Sequence, residues 1–211
     1  MDRLIAILGL SILMAACQSS APAAVASPSP SPSPHTAPTD AVLQSADIPA
    51  GLSPCLGSGP IDVYITTVTA ADANLGARVA GQWNQLRAGG ATSGAVSLFT
   101  STPAACTAEL ATTSGAKSIT AFVASFADSG QADRAWEAGV LGFMPPAPGE
   151  LPSGVTSGTA TGLGLSSWTY DRAPVHLASW HKSVFVALVV VSNLDAATFK
   201  AATTAIDARL N

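Results

Sequence analysis

Charge is scarce in this chain of 211 residues: only 10% are Asp, Glu, Lys or Arg. That excludes a coiled coil or a long disordered chain, both of which are rich in charge. Nine Lys and Arg against thirteen Asp and Glu leave a net charge of -4, and no run of basic residues could neutralise successive phosphates. No nucleic-acid partner is expected. Three Cys, three His and three Glu are a thin supply of metal ligands and catalytic groups. The chain lacks His-Glu-x-x-His, paired Cys-x-x-Cys and Gly-x-Ser-x-Gly. Residues 158–162, Gly-Thr-Ala-Thr-Gly, lack the Gly-Lys-Ser/Thr ending of a phosphate loop, and Gly162-Leu163-Gly164 has no third glycine at position 167. We therefore expect no metal, no cofactor and no enzyme activity. Long apolar runs are also missing: after residue 17 the longest is residues 184–191, far short of the roughly 20 residues of a membrane helix.

What the chain does have is 48% apolar residues, enough for one domain with a sizeable core. Residues 1–16 carry Arg3 and then an apolar run over 4–16, too short to span a bilayer and read as an export signal. At its end stands Leu13-Met14-Ala15-Ala16-Cys17. This run resembles the lipobox of bacterial lipoproteins. The resemblance implies that Cys17 is lipidated with fatty acyl groups such as palmitate and becomes the mature amino terminus. The partner would then be a membrane, reached through a lipid anchor on its extracytoplasmic face, since two or three acyl chains suffice for stable attachment. Residues 17–40 turn to Ser, Pro, Ala and Thr, with Ser-Pro alternating over 27–34. Prolines extend such a chain to about 3.1 Å per residue, making a spacer.

Cys55 and Cys106 remain, in a compartment that permits disulfides. With Cys17 lipidated they have only each other, and closing about 50 residues would stabilise the fold by roughly 4 kcal/mol in the chain-entropy model.

The domain, residues 41–211, reads as α+β. Residues 61–68 alternate, Ile61, Val63 and Ile65 against Asp62, Tyr64 and Thr66, which predicts a half-buried strand. Leu75, Val79, Trp83 and Leu86 then form the stripe of a helix over 71–88, stopped at Gly89-Gly90. Strands are expected at 95–100, 118–126, 166–171, 175–181 and 184–192, with a helical turn carrying Cys106 and Leu110, and a tight hairpin around 181–183. Asp128 and Gln131 suggest a capping box for a helix reaching about residue 141, with Ala132, Trp136 and Val140 inward. Asn193 or Asp195 caps a final helix with Phe199, Ala202, Ile206 and Leu210 on its buried side. The expected architecture is a single domain with a mostly antiparallel sheet of about five to six strands and helices packed on at least one face. Between the elements, residues 145–164 form a long Pro- and Gly-rich connection, either a passive excursion or a lid.

Candidate sites are few. Trp168, Tyr170 and Trp180 on the late strands could wall a ligand site or be ordinary core. His176 and His181 are five apart, so along one strand they face opposite ways and would not share a metal. A Ser-His-Asp site would have to be assembled from distant residues, with Asp171 near His176.

Pro54-Cys55, Cys106, Gly162-Leu163-Gly164, the hairpin over 180–191 and the terminal helix together resemble a group of small bacterial envelope lipoproteins with a two-cysteine α+β domain, some of them similar to the PsbP-like architecture. The resemblance implies no catalytic residue. The expected function is a non-catalytic binding or interaction module of the cell envelope, with an envelope protein or cell-wall component as partner. One alternative is a carrier of a small apolar or lipid ligand, with its cavity between sheet and helices or beneath the 145–164 connection; another is a hydrolase with a dispersed site.

Overall fold

A computed structural model describes residues 36–211 apart from 148 and 150. The expected signal, Cys17 and the linker up to residue 35 lie outside the described residues. Packing begins at Pro38: in the short helix α1 (Pro38–Ala41), Pro38 and Ala41 are already buried.

The elements follow as β1 (Ser53–Pro54), β2 (Gly59–Pro60), α2 (Ile61–Ala71), α3 (Ala73–Ala88), β3 (Ala91–Thr100), β4 (Ser118–Phe126), α4 (Ser129–Ala138), β5 (Val155–Ser157), β6 (Ser167–Arg172), β7 (Val175–Lys182), β8 (Phe185–Ser192) and α5 (Ala196–Asp207). They make an α+β fold, a single domain around one antiparallel sheet of eight strands. The order is β1-β3-β4-β8-β7-β6-β5, with β2 also pairing to β3. The five long strands are those that periodicity marks. The other three have two or three residues each, too few to leave a period in the sequence. β1 and β2 carry Pro54 and Pro60, which cannot continue a ladder and so end the sheet at that edge.

The expected strand over residues 61–68 is instead the first two turns of α2. The buried residues are Ile61, Tyr64 and Val68, spaced three and four apart, a helical stripe that outweighs the local alternation. The β-branched threonines do not oppose the helix, because the hydroxyls of Thr66, Thr67 and Thr69 donate to the carbonyls four residues back at 2.8, 2.9 and 2.6 Å. Asp72 then caps α3, its carboxylate accepting from the N–H groups of Asn74 and Leu75 at 2.8 and 3.1 Å. α2 and α3 pack against each other, with Gly76 of α3 close to Thr69 of α2.

The central strands β4 and β8 are buried on both sides, as their unbroken apolar runs require. On one face Val186, Leu188 and Val190 pack with Phe122 against α2, α3 and α4. Trp83 meets Phe122 edge to face at 6.2 Å, over Gly94, where a side chain would strike the indole. On the other face Val189 and Val191 pack with Ile119 and Val123 against α5 and the segment around α1. A disulfide joins Cys55, beside β1, to Cys106 on a 3-10 turn (Pro103–Thr107), with the Cα atoms 5.4 Å apart.

Candidate functional site

α4 starts at Asp128, whose carboxylate accepts from the N–H of Gln131 at 2.8 Å. It ends before the expected residue 141, because Gly139 takes φ of 106°, a conformation that only glycine adopts easily, and turns the chain away. Trp136 is therefore near the helix end, half-buried, with its ring against the core. Together with Pro145, Pro146, Leu151 and Leu165 it lines an open groove of about 550 Å³ beneath the 145–164 connection, with Glu137 at its wall. Leu165 is 81% exposed, Leu151 40% and Met144, next to Pro145, 65%. Leu151 and Leu165, exposed at one groove, are apolar surface of the kind that marks an interaction site.

The groove walls are fixed to each other by Asp133. Its Oδ1 accepts from the Ser166 hydroxyl at 2.9 Å and lies 3.3 Å from Nδ1 of His181. Asp133 stands one turn before Trp136, and Ser166 follows Leu165, so the same contact that ties α4 to the sheet sets the width of the groove.

His176 and His181 each have a carboxylate partner, on opposite faces as their spacing requires. His181 lies between Asp133 and Ser129, whose Oγ is 3.3 Å from Nε2. This has the outline of a catalytic triad, but Nε2 is closer to the carbonyl of Ser183, at 2.8 Å. A nitrogen that donates to a carbonyl has no lone pair with which to take a proton from serine. Neither Ser129, Asp133 nor His181 lines the groove. The cluster serves as a tie between α4 and the β7–β8 hairpin. His176 is buried, with Nδ1 2.5 Å from Oδ1 of Asp171, Nε2 3.1 Å from the carbonyl of Leu194, and its ring stacked on Phe199 at 5.6 Å. Among the described residues no three or more His, Cys, Asp or Glu are grouped to hold a metal ion, and no helix is long and apolar enough to cross a membrane.

The chain matches no family model, no curated protein and no solved structure.

The structure does not bring Trp168, Tyr170 and Trp180 together as one wall. Trp168 and Tyr170 share the face covered by α2 to α4, whereas Trp180 is fully buried on the face covered by α5. The indole N–H groups of Trp168 and Trp180 are buried without an acceptor, so these rings act as apolar filling. Sequence reasoning passed over Leu151 and Leu165. The signal was there: Leu151 lies within the 145–164 connection, which is mostly Pro, Gly, Ser, Thr and Ala, and Leu165 directly follows it, where no periodicity assigns either to a core.

Proposed function

We propose that this protein is a lipid-anchored module on the extracytoplasmic face of a bacterial cell membrane that binds a partner and carries out no catalysis. The groove beneath the 145–164 connection carries this reading. It exposes Leu151 and Leu165 beside the Trp136 ring, and among the described lining residues Glu137 is the only ionisable side chain. Because it is not enclosed, it suits an apolar segment of an envelope protein better than a lipid that must be enclosed. The Cys55–Cys106 disulfide agrees with an oxidising compartment. Acylation of Cys17 is part of the proposal, as is membership of the envelope lipoproteins that the lipobox and the two cysteines suggest. The Ser/Pro spacer would then hold the groove tens of ångströms above the lipid, at about 3.1 Å per residue.

The test is made in cells. A photo-crosslinking amino acid at position 165 should give a discrete protein adduct that is absent when it is placed at position 56, where Leu56 is 95% exposed. The adduct should be lost in Leu151→Asp, and Cys17→Ser should release the chain from membranes. Equal labelling at 165 and 56, or no adduct at 165, refutes the groove; an adduct with the mass of a lipid supports the carrier alternative. Membrane retention of the Cys17→Ser chain refutes the anchor.

A further inference from the structure

On the opposite face of the β5–β6 edge lies a second concavity, a cleft of about 380 Å³ between that edge and α5. Its chemistry is unlike that of the groove. Asp171 of β6 and Lys200 of α5 both line it, yet they form no ion pair with each other, and the Lys200 ammonium has no partner among the described residues. Thr156 and Thr169, cross-strand neighbours in the β5–β6 register, add two hydroxyls with no partner among the described residues. Leu163 and the edge of Phe199 supply the apolar surface.

Asp171 is held in place from behind. Its side chain is 52% exposed, but Oδ1 accepts from His176, whose own side chain is 5% exposed. The imidazole is fixed in turn by the Leu194 carbonyl and by stacking on Phe199. A half-exposed carboxylate would ordinarily sample several rotamers; this one is oriented by a buried polar group, while its second oxygen takes no bond within the described residues. Burying an imidazole is costly unless its hydrogen bonds are made, and here they are made by the groups that set the cleft wall.

We propose that the cleft binds a small zwitterion of the α-amino-acid type, its ammonium on Asp171, its carboxylate on Lys200 and the two threonine hydroxyls, and a short aliphatic side chain over Leu163 and Phe199. A lysine ammonium with no partner among the described residues and a carboxylate with one oxygen still open, in one cleft, select for a ligand that carries both charges, since a ligand with one charge leaves the other group unanswered.

The probe is L-leucine, titrated calorimetrically into the detergent-solubilised full-length protein, with N-acetyl-L-leucine and L-leucinamide as analogues that each lack one charge. Saturable binding of L-leucine is expected, weakened by roughly tenfold or more for either analogue and in Asp171→Asn or Lys200→Gln, as loss of a charge-assisted hydrogen bond implies. Lys200 is exposed, so its variant should unfold at the same temperature as the parent and reports on binding alone. Leu151→Asp in the groove should leave L-leucine binding unchanged, which separates this site from the proposed partner groove. Absence of saturable L-leucine binding, equal affinity for the blocked analogues, or full affinity in Lys200→Gln overturns the assignment.

Discussion

Tyr64 shows how much can rest on one polar atom in an apolar interior. The side chain is fully buried, and its hydroxyl oxygen accepts a 2.7 Å hydrogen bond from the backbone N–H of Leu110. Leu110 has φ of 49°, a left-handed conformation that costs energy for a residue other than glycine, and its carbonyl accepts from the Thr120 hydroxyl at 2.6 Å. Two side-chain hydroxyls thus hold the bend after the Cys106 turn. Burial pushes the phenol up to about 12 from 10, with the Leu110 N–H acting in the opposite direction. The folded state therefore keeps a proton that the unfolded state gives up above pH 10. The associated stability is complete below pH 10 and is lost between about 10 and 12, by roughly 3 kcal/mol at about 1.4 kcal/mol per unit. Tyr64→Phe should cost about 1–3 kcal/mol at neutral pH, because it leaves the Leu110 N–H buried without an acceptor. The difference in urea stability between parent and variant should shrink as pH rises through the window. A constant difference from pH 8 to 12 would show that Tyr64 does not carry this dependence. None of this was legible in the sequence, where Tyr64 reads as the polar face of a strand. A phenol announces its partner only once the fold has brought Leu110, which lies 46 residues away, against it.

The misread element is α2, and the reason lies in pairing between helices. Residues 61–66 satisfy a period of two as well as a helical stripe, and with four β-branched residues among the six the local pattern favours a strand. What decides is α3, whose own stripe needs a partner. The two helices meet at Gly76, where an added Cβ would lie 2.0 Å from Thr69 Oγ1 and 2.6 Å from Thr69 Cα. Gly76→Ala is therefore expected to destabilise the domain by about 1–3 kcal/mol, although alanine is the better helix former, because the steric cost exceeds the propensity gain of about 1 kcal/mol. Thr69→Ala in the same chain should not restore stability, since the clash includes the Thr69 backbone. Thermal unfolding of the two variants checks this; a Gly76→Ala chain as stable as the parent would mean that the helices separate freely there. Where elements stand alone in the sequence the reading succeeded: β4 was placed at residues 118–126, where it is found, and Asp195 does cap α5, its carboxylate accepting from Thr198 N–H at 2.8 Å. The groove was legible only as a place. The 145–164 connection pointed to it, but the Asp133–Ser166 contact that sets its width joins residues 33 apart with no shared periodicity.

For the whole molecule, the sheet and the disulfide divide the work of stabilisation. β4 and β8 are covered on both faces, so the centre of the sheet is held by burial from two sides and does not depend on the cross-link. The periphery at β1 and β2 is different: it consists of two-residue strands and a 3-10 turn that bury little, and the Cys55–Cys106 bond ties them together across a separation of 51 residues. Replacing both cysteines with alanine removes a constraint worth roughly 4 kcal/mol in the chain-entropy model, against a total of about 5–15 kcal/mol for an ordinary domain. The expected result is a marked fall in the denaturant midpoint with the sheet intact. Amide protons of β4 and β8 should stay the most protected, while those around residues 55 and 106 exchange faster in the variant. If the bond instead organised the core, protection would be lost evenly across the sheet. A stability change below about 1 kcal/mol would mean that the reduced, unfolded chain already keeps these segments close, leaving little entropy for the bond to remove.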